Sequence, residues 1–257
     1  MQNLAQENKD FLLHNLPEYF QNYSYEIYRI VESQYFIATR KLVDSDEEQR
    51  VLEDIIDHSK PEIIKENSRG ALHYLLYTPF RYPPLKSGGR FHTRIEQSIF
   101  YGAQELETSM AEVAYGRLLF AHHSDAKLDP MEVGYTHFVV DVKSDKALFL
   151  TTAPFNVDQN KISDPYSNAY SQSLGTAMRN ADAHIFTYTS ARRPNGINVG
   201  LFSVEAFSCN QPIAGKDGHW SVYVSATSIE FKRASFSKKG IETHVFEIKN
   251  SKIGHKR

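Results

Sequence analysis

Three observations make the chain read as an α+β protein. After residue 70, runs with strand character outnumber helical ones. Those runs gather at the two ends of the segment instead of alternating with helices as βαβ units do. Neither a GxGxxG nor a GxxxxGK[ST] element occurs, which disfavours a Rossmann or P-loop nucleotide site.

The elements follow in order. From Asn3 to about Lys65 the apolar spacing predicts helices: Phe11, Leu12 and Leu16, then Ile27, Ile30 and Val31, with Tyr35 and Phe36 after them. A further helix over Ser45–Ser59 begins with a plausible cap and gathers Val51, Leu52, Ile55 and Ile56 on one side. Residues 1–70 are therefore expected to be a helical extension, a structural cap on a main domain of residues 71–250, with a basic tail at 251–257. Within the main domain, Leu72–Tyr77 and Ser98–Tyr101 read as short strands around a Pro/Gly loop, and Thr108–Phe120 as a helix. Tyr135–Val142 alternates and is β-branched, and Ala147–Leu150 is expected to pair with it across Lys143–Lys146. Pro165 precedes a helix from Tyr166 to about Ala181. His184–Ser190 and Ile197–Val204 form two strand-like runs, and Trp220–Ala226, Ser228–Lys232 and Thr243–Ile248 add more.

Bulk properties narrow the function classes. The chain has 257 residues, 41% hydrophobic, enough for a sizeable core. A formal charge of −2 gives no general push toward nucleic acid or anionic membranes. The single cysteine, Cys209, permits no internal disulfide and fits a reducing compartment. The polar N-terminus lacks a secretory signal pattern, and no run of about 18 apolar residues is present. A cytoplasmic protein without membrane or nucleic-acid partners is expected.

Candidate chemistry concentrates between Thr78 and Phe120. Arg81 precedes Tyr82-Pro83-Pro84, which cannot continue a helix. Its five donors in a rigid fork suit a pyrophosphate or a ribose diol, or else a local surface ion pair. Arg90 follows Gly88-Gly89, whose backbone can approach an anion closely or simply turn the chain. Tyr101 ends a strand, either as a stacking ring or as core. Glu112 fits a capping box from Ser109. If the helix instead starts at Glu107 or Thr108, Glu112 lies in the second turn facing the sheet, where a carboxylate is costly unless paired or used. Ser190 closes a strand beside the basic Arg192-Arg193, as a phosphate ligand or a hairpin-edge serine. His122, His123 and Asp125 make a poor metal set, so no metal site is expected.

Taken together, Gly88-Gly89-Arg90-Phe91, Phe100-Tyr101-Gly102-Ala103, Glu107 to Val113, and Thr189-Ser190-Ala191-Arg192-Arg193 with Gly196-Ile197-Asn198-Val199 resemble the motifs of the RES domain family. The resemblance covers roughly Tyr77–Val224. It implies an ADP-ribosyltransferase-like core of small twisted sheets forming a cleft, and a toxin of a type II toxin–antitoxin pair with an Xre-type antitoxin as partner. It implies NAD+ as substrate, with phosphorolysis, hydrolysis or protein ADP-ribosylation as outcomes, inorganic phosphate as possible co-substrate, and no permanently bound cofactor. In that reading Glu112 stabilises charge at the ribose. Arg81 or Arg90, with Ser190, fixes the pyrophosphate or phosphate. Tyr101, with Tyr82, orients the nicotinamide. A non-catalytic binding module is the rival from another class.

Overall fold

The structure is a computed structural model that describes residues 15–33, 42–60, 62, 65–82, 84–123, 130–235 and 240–247. In chain order it contains β1 (Gln21–Glu32), α1 (Asp46–Ser59), β2 (Glu66–Asn67), β3 (Gly70–Ala71) and α2 (Tyr74–Arg81). Then come β4 (Phe100–Ala103), α3 (Leu106–His123), β5 (Met131–Phe149), α4 (Gln159–Ile162) and α5 (Ala169–Asn180). The chain continues with β6 (Ile185–Thr189), β7 (Ile197–Leu201), β8 (Gly218–Val224), β9 (Ser228–Ser235) and β10 (Gly240–Glu247). Eight strands make one mixed sheet in the order β1-β4-β7-β6-β5-β8-β9-β10, and β1 pairs a second time, with β5. That second pairing closes β1, β4, β7, β6 and β5 into a ring, from which β8, β9 and β10 extend as a wing. The α+β expectation holds.

Three apolar clusters fix the layers. Inside the ring, Ile27, Phe100, Val140, Ile185 and Val199 meet Leu76 and Phe80 of α2. On the other face of β6, Phe186 and Tyr188 pack with Phe91 and with Leu174 and Met178 of α5. Under the wing, Met110, Ala114 and Leu118 of α3 cover Ile30, Trp220, Val222 and Phe231. Each such side chain contributes roughly 1.5–3 kcal/mol on burial.

Three expectations are corrected. First, Ile27, Ile30 and Val31 belong to the strand β1, not to a helix, and β1 runs antiparallel to β5 from Gln21↔Ala147 to Glu32↔Tyr135. The helical spacing misleads because this strand is covered on both faces. Ile27 enters the ring interior and Ile30 the cluster under the wing, so apolar residues fall on both parities, and the tyrosines and β-branched residues favour extension. This part of the expected helical extension is thus a strand of the main sheet. Second, Leu72–Tyr77 does not form a strand. His73 caps α2 by accepting from the Leu75 amide at 3.3 Å, and Leu76 and Phe80, one helical turn apart, are buried. Third, Lys143–Lys146 is no turn. β5 runs straight through it, since no glycine or proline is there to reverse the chain.

The helix from Ser45 is present as α1, with Ser45 Oγ accepting from the Glu48 amide at 3.1 Å, yet Val51 and Ile55 are exposed. The hairpin of β6 and β7 and the strands of the wing appear as expected. Phe11, Leu12, Tyr35, Phe36, Asp125 and the basic tail lie outside the described residues. No helix of the described residues is long and apolar enough to cross a membrane.

Candidate active site

The site forms where α3 crosses the ends of β6 and β7. α3 starts at Leu106, so Glu112 lies in its second turn and Ser109 is an interior helical residue. The capping-box alternative is therefore excluded. Glu112 Oε1 accepts two hydrogen bonds of 2.6 Å, one from Ser190 Oγ and one from Asn198 Nδ2. Ser190 and Asn198 are both buried. Among the described residues no hydrogen bond reaches Oε2.

Ser190 has only one proton to give. Its oxygen accepts from the backbone amides of Arg192 and Arg193 at 3.0 and 3.1 Å, so the hydroxyl hydrogen points to Glu112. In this geometry Ser190 orients the carboxylate and is not aimed at a phosphate, which corrects the expected role. Arg193, next along, pairs with Glu105 and donates to Thr108 Oγ1 at 3.1 Å, tying the turn to the start of α3.

The glycine loop delivers Arg90. Gly88 has φ +69°, and a Cβ there would sit 2.3 Å from the His92 carbonyl oxygen. Gln172 Nε2 of α5 donates to the carbonyls of Ser87 and Gly89, each at 2.9 Å. Gly175 allows α5 to press on Phe91, since a Cβ would meet the Phe91 carbonyl oxygen at 1.9 Å. Arg90 Nη1 donates to the carbonyl oxygens of Asp164 at 2.9 Å and Ile162 at 3.4 Å.

Register places the tyrosines. Tyr101 pairs with Gly200 and Tyr188 with Asn198, so the pleat puts Tyr101, Tyr188 and Asn198 on one sheet face and Phe100 on the other. Tyr101 Oη accepts from the Phe91 amide at 3.3 Å. Burial pushes the Tyr101 hydroxyl up, while that amide and the charges of Arg90 and Arg179 pull it back. Burial also pushes Tyr188 far above the usual range; Glu112 adds to this and Arg90 opposes it. Arg90, Tyr101, Tyr188 and Glu112 thus share one electrostatic neighbourhood.

Arg81 and Tyr82 line a separate cavity. α2 packs on the Phe100 face, where both residues line a cavity of about 360 Å³ with Arg29 and Lys60. None of Arg90, Glu112 and Ser190 lines that cavity. Of the two arginines carried from the sequence, Arg90 is the one whose charge, with that of Glu112, acts on Tyr188. Across the sheet, Arg29 donates to the Tyr101 carbonyl, with its guanidinium 4.6 Å from the Phe100 ring centroid.

Sequence reasoning quoted Asn198 and Arg192 within motifs but assigned neither a place in the site. Asn198 had a visible signal: an amide inside the apolar strand Ile197-Asn198-Val199-Gly200-Leu201 must be paired. Arg192 had only its place in the basic turn after Ser190, which does not distinguish it from Arg193. Its guanidinium lies 3.2 Å from the Tyr115 ring centroid. Among the described residues no group of three or more His, Cys, Asp and Glu gathers as a metal set.

The arrangement presents a carboxylate held at one edge in an electrostatic neighbourhood of guanidinium groups and aromatic rings, which can stabilise positive charge that develops beside an anionic group. A chain in the crystal structure of the M. tuberculosis MbcT–MbcA toxin–antitoxin complex is similar at a TM-score of 0.45 and 14% identity, covering 84% of this chain and 92% of that one. No curated protein matches. The family model described as RES domain matches residues 66–225, more than half of the chain and the whole of the Arg90–Glu112–Ser190 constellation, and the protein belongs to the RES domain family.

Proposed function

We propose that this chain consumes NAD+ by breaking the bond between nicotinamide and ribose, and that it is the toxin of a toxin–antitoxin pair whose antitoxin is of Xre type. One observation carries the catalytic reading: Glu112 is held at Oε1 by two 2.6 Å hydrogen bonds, with Oε2 on the other edge of the same rigid carboxylate. Family membership supplies the substrate expectation.

The chemistry follows from charge. As the C–N bond lengthens, its electron pair leaves with nicotinamide and positive charge builds on the ribose, as in glycoside cleavage. A carboxylate already oriented stabilises that charge without reorganising. Glu112 Oε2 takes this role and accepts from a ribose hydroxyl. Arg90 holds phosphate oxygens, and the Tyr101 face of the sheet borders the ring to be expelled. The new C–O bond comes from inorganic phosphate or from water, and water releases a proton. Transfer to a protein side chain is the competing outcome.

The test is incubation of purified protein with NAD+, with and without inorganic phosphate, followed by quantification of free nicotinamide. Release by wild type and its loss in Glu112→Gln support the reading. Folded wild-type protein that frees no nicotinamide sinks it. Label from ADP-ribose appearing on a macromolecule would redirect it to protein modification.

A further inference from the structure

One end of the main sheet is closed, because β1 returns to pair with β5, and β10 is the other end. β10 runs its eight residues against β9, from Gly240↔Ser235 to Glu247↔Ser228, without a register shift. Its outer row of backbone amides and carbonyls has no strand partner among the described residues. Exposed edges are normally guarded by proline, lysine or a bulge, and β10 contains none of these. The acid Glu242 is already engaged, since Arg233 Nε of β9 donates to its Oε2 at 2.7 Å. Side chains alternate along the strand. His244 and Phe246 turn toward the cluster under the wing, their rings 5.5 Å from Trp220 and 5.8 Å from Phe231. Ile241, Thr243 and Val245 stand on the open face, with Ile241 71% and Val245 51% exposed.

The strand that fits this edge is β10 itself. We propose that β10 pairs antiparallel with β10 of a second copy of this chain, about a two-fold axis at Thr243, and so joins two wings into one continuous sheet. In that register Ile241 meets the partner's Val245, Glu242 meets the partner's His244, Thr243 meets the partner's Thr243, and Gly240 meets the partner's Phe246. Each is a favourable cross-strand pair: apolar on β-branched, acid on imidazole, threonine on threonine, and a glycine covered by a ring. Sliding the strands by two residues one way sets Glu242 against the partner's Glu242. Sliding them the other way sets Ile241 against the partner's Glu247 and His244 against the partner's His244. Like charges directly opposite are destabilising, so complementarity selects one register. Such a contact is isologous and closes on two copies, which uses up both free edges and ends further growth. The pairing stands apart from the NAD+ reading, since Arg90, Glu112 and Ser190 all lie outside the wing.

Light scattering on the whole chain over a concentration series tests the association, and thiol bridging tests the register. Wild type is expected at twice the chain mass. Ile241→Lys combined with Val245→Lys is expected to weaken association at least tenfold, because lysines on an edge oppose pairing. In a Cys209→Ser background, Thr243→Cys sits on the axis, where opposed β-carbons lie about 4.5–5.5 Å apart. Dibromobimane, a short reagent that joins two thiols, is expected to convert it to a covalent dimer. Ile241→Cys is four positions out of register with its own copy, about 13 Å along the strand, and is expected to stay unbridged. Circular dichroism checks folding; if the double lysine variant does not fold, the two cysteine variants decide. The pairing is overturned if wild type is monomeric at every concentration, if the folded lysine variant associates as tightly as wild type, or if Thr243→Cys is not bridged.

Discussion

Asn198 Nδ2 lies 2.6 Å from Glu112 Oε1, across 86 residues of sequence, and joins a strand of the ring to the helix that crosses it. With Ser190 on the same oxygen, the carboxylate is held at one edge only. Hydrogen bonds to a charged acceptor are worth about 1.5–3 kcal/mol each. Asn198→Ala should therefore lower kcat for NAD+ loss by about 10- to 100-fold with a smaller change in KM. A raised KM with kcat unchanged would show that Asn198 serves substrate affinity instead.

Ser190→Ala removes the donor but leaves the two amides of Arg192 and Arg193 without their acceptor. The expected loss in kcat is of the same size, about 10- to 100-fold, with some loss of thermal stability from the freed amides. Addition of phosphate should not rescue it, because the hydroxyl faces Glu112. Rescue by high phosphate would restore the phosphate-binding role.

Glu112→Gln should keep the melting temperature within a few degrees and reduce nicotinamide release by at least about 100-fold, the scale of losing a preorganised electrostatic partner. Steady-state assays on the folded variant check this. Near-normal release would remove Glu112 from the mechanism.

Gly175→Ala sets two effects against each other. Alanine gains about 1 kcal/mol of helix propensity. The added Cβ would meet the Phe91 carbonyl oxygen at 1.9 Å, and overpacking typically costs 1–3 kcal/mol, with backbone contacts at the upper end. The clash wins, so denaturant titration should show net destabilisation. Displacement of Phe91 also moves Arg90, and activity should fall with stability. A neutral or stabilising result would mean that α5 does not press on the glycine loop.

His137 predicts a pH dependence of folding. It is buried, and its Nδ1 accepts from Trp220 Nε1 at 2.8 Å, which requires the neutral ring. Burial, helped by Arg233 and opposed by Asp217 and Glu242, pushes it down to about 4. Between pH 6.5 and 4 the unfolded chain takes up a proton that the native ring refuses, so stability falls as pH drops through that window, by on the order of 3 kcal/mol at most. Denaturation at pH 7 and pH 4.5 should show this, with a shallower slope in His137→Gln. An unchanged slope in that variant would assign the effect elsewhere.

The motif pieces located the candidate residues and the elements that carry them. Arg90, Tyr101, Glu112 and Ser190 stood out because glycines, a strand end, a helix start and a hairpin are local patterns written in adjacent residues. The helix over α3, the β6–β7 hairpin and the strands of the wing were legible for the same reason. What failed was whatever depended on distant partners. β1 looked helical until β5 and two packed faces explained its apolar residues. Arg81 and Arg90 were indistinguishable nine residues apart in one loop-rich stretch, until α2 carried the first to its own cavity and Gln172 with Gly175 fixed the glycine loop that carries the second. The direction of one hydroxyl proton, on which the role of Ser190 turns, follows from two amides and one carboxylate meeting in space. Residue chemistry and short-range periodicity are properties of the chain read in order. Burial on both faces and hydrogen-bond direction are properties of neighbours that the chain order does not contain.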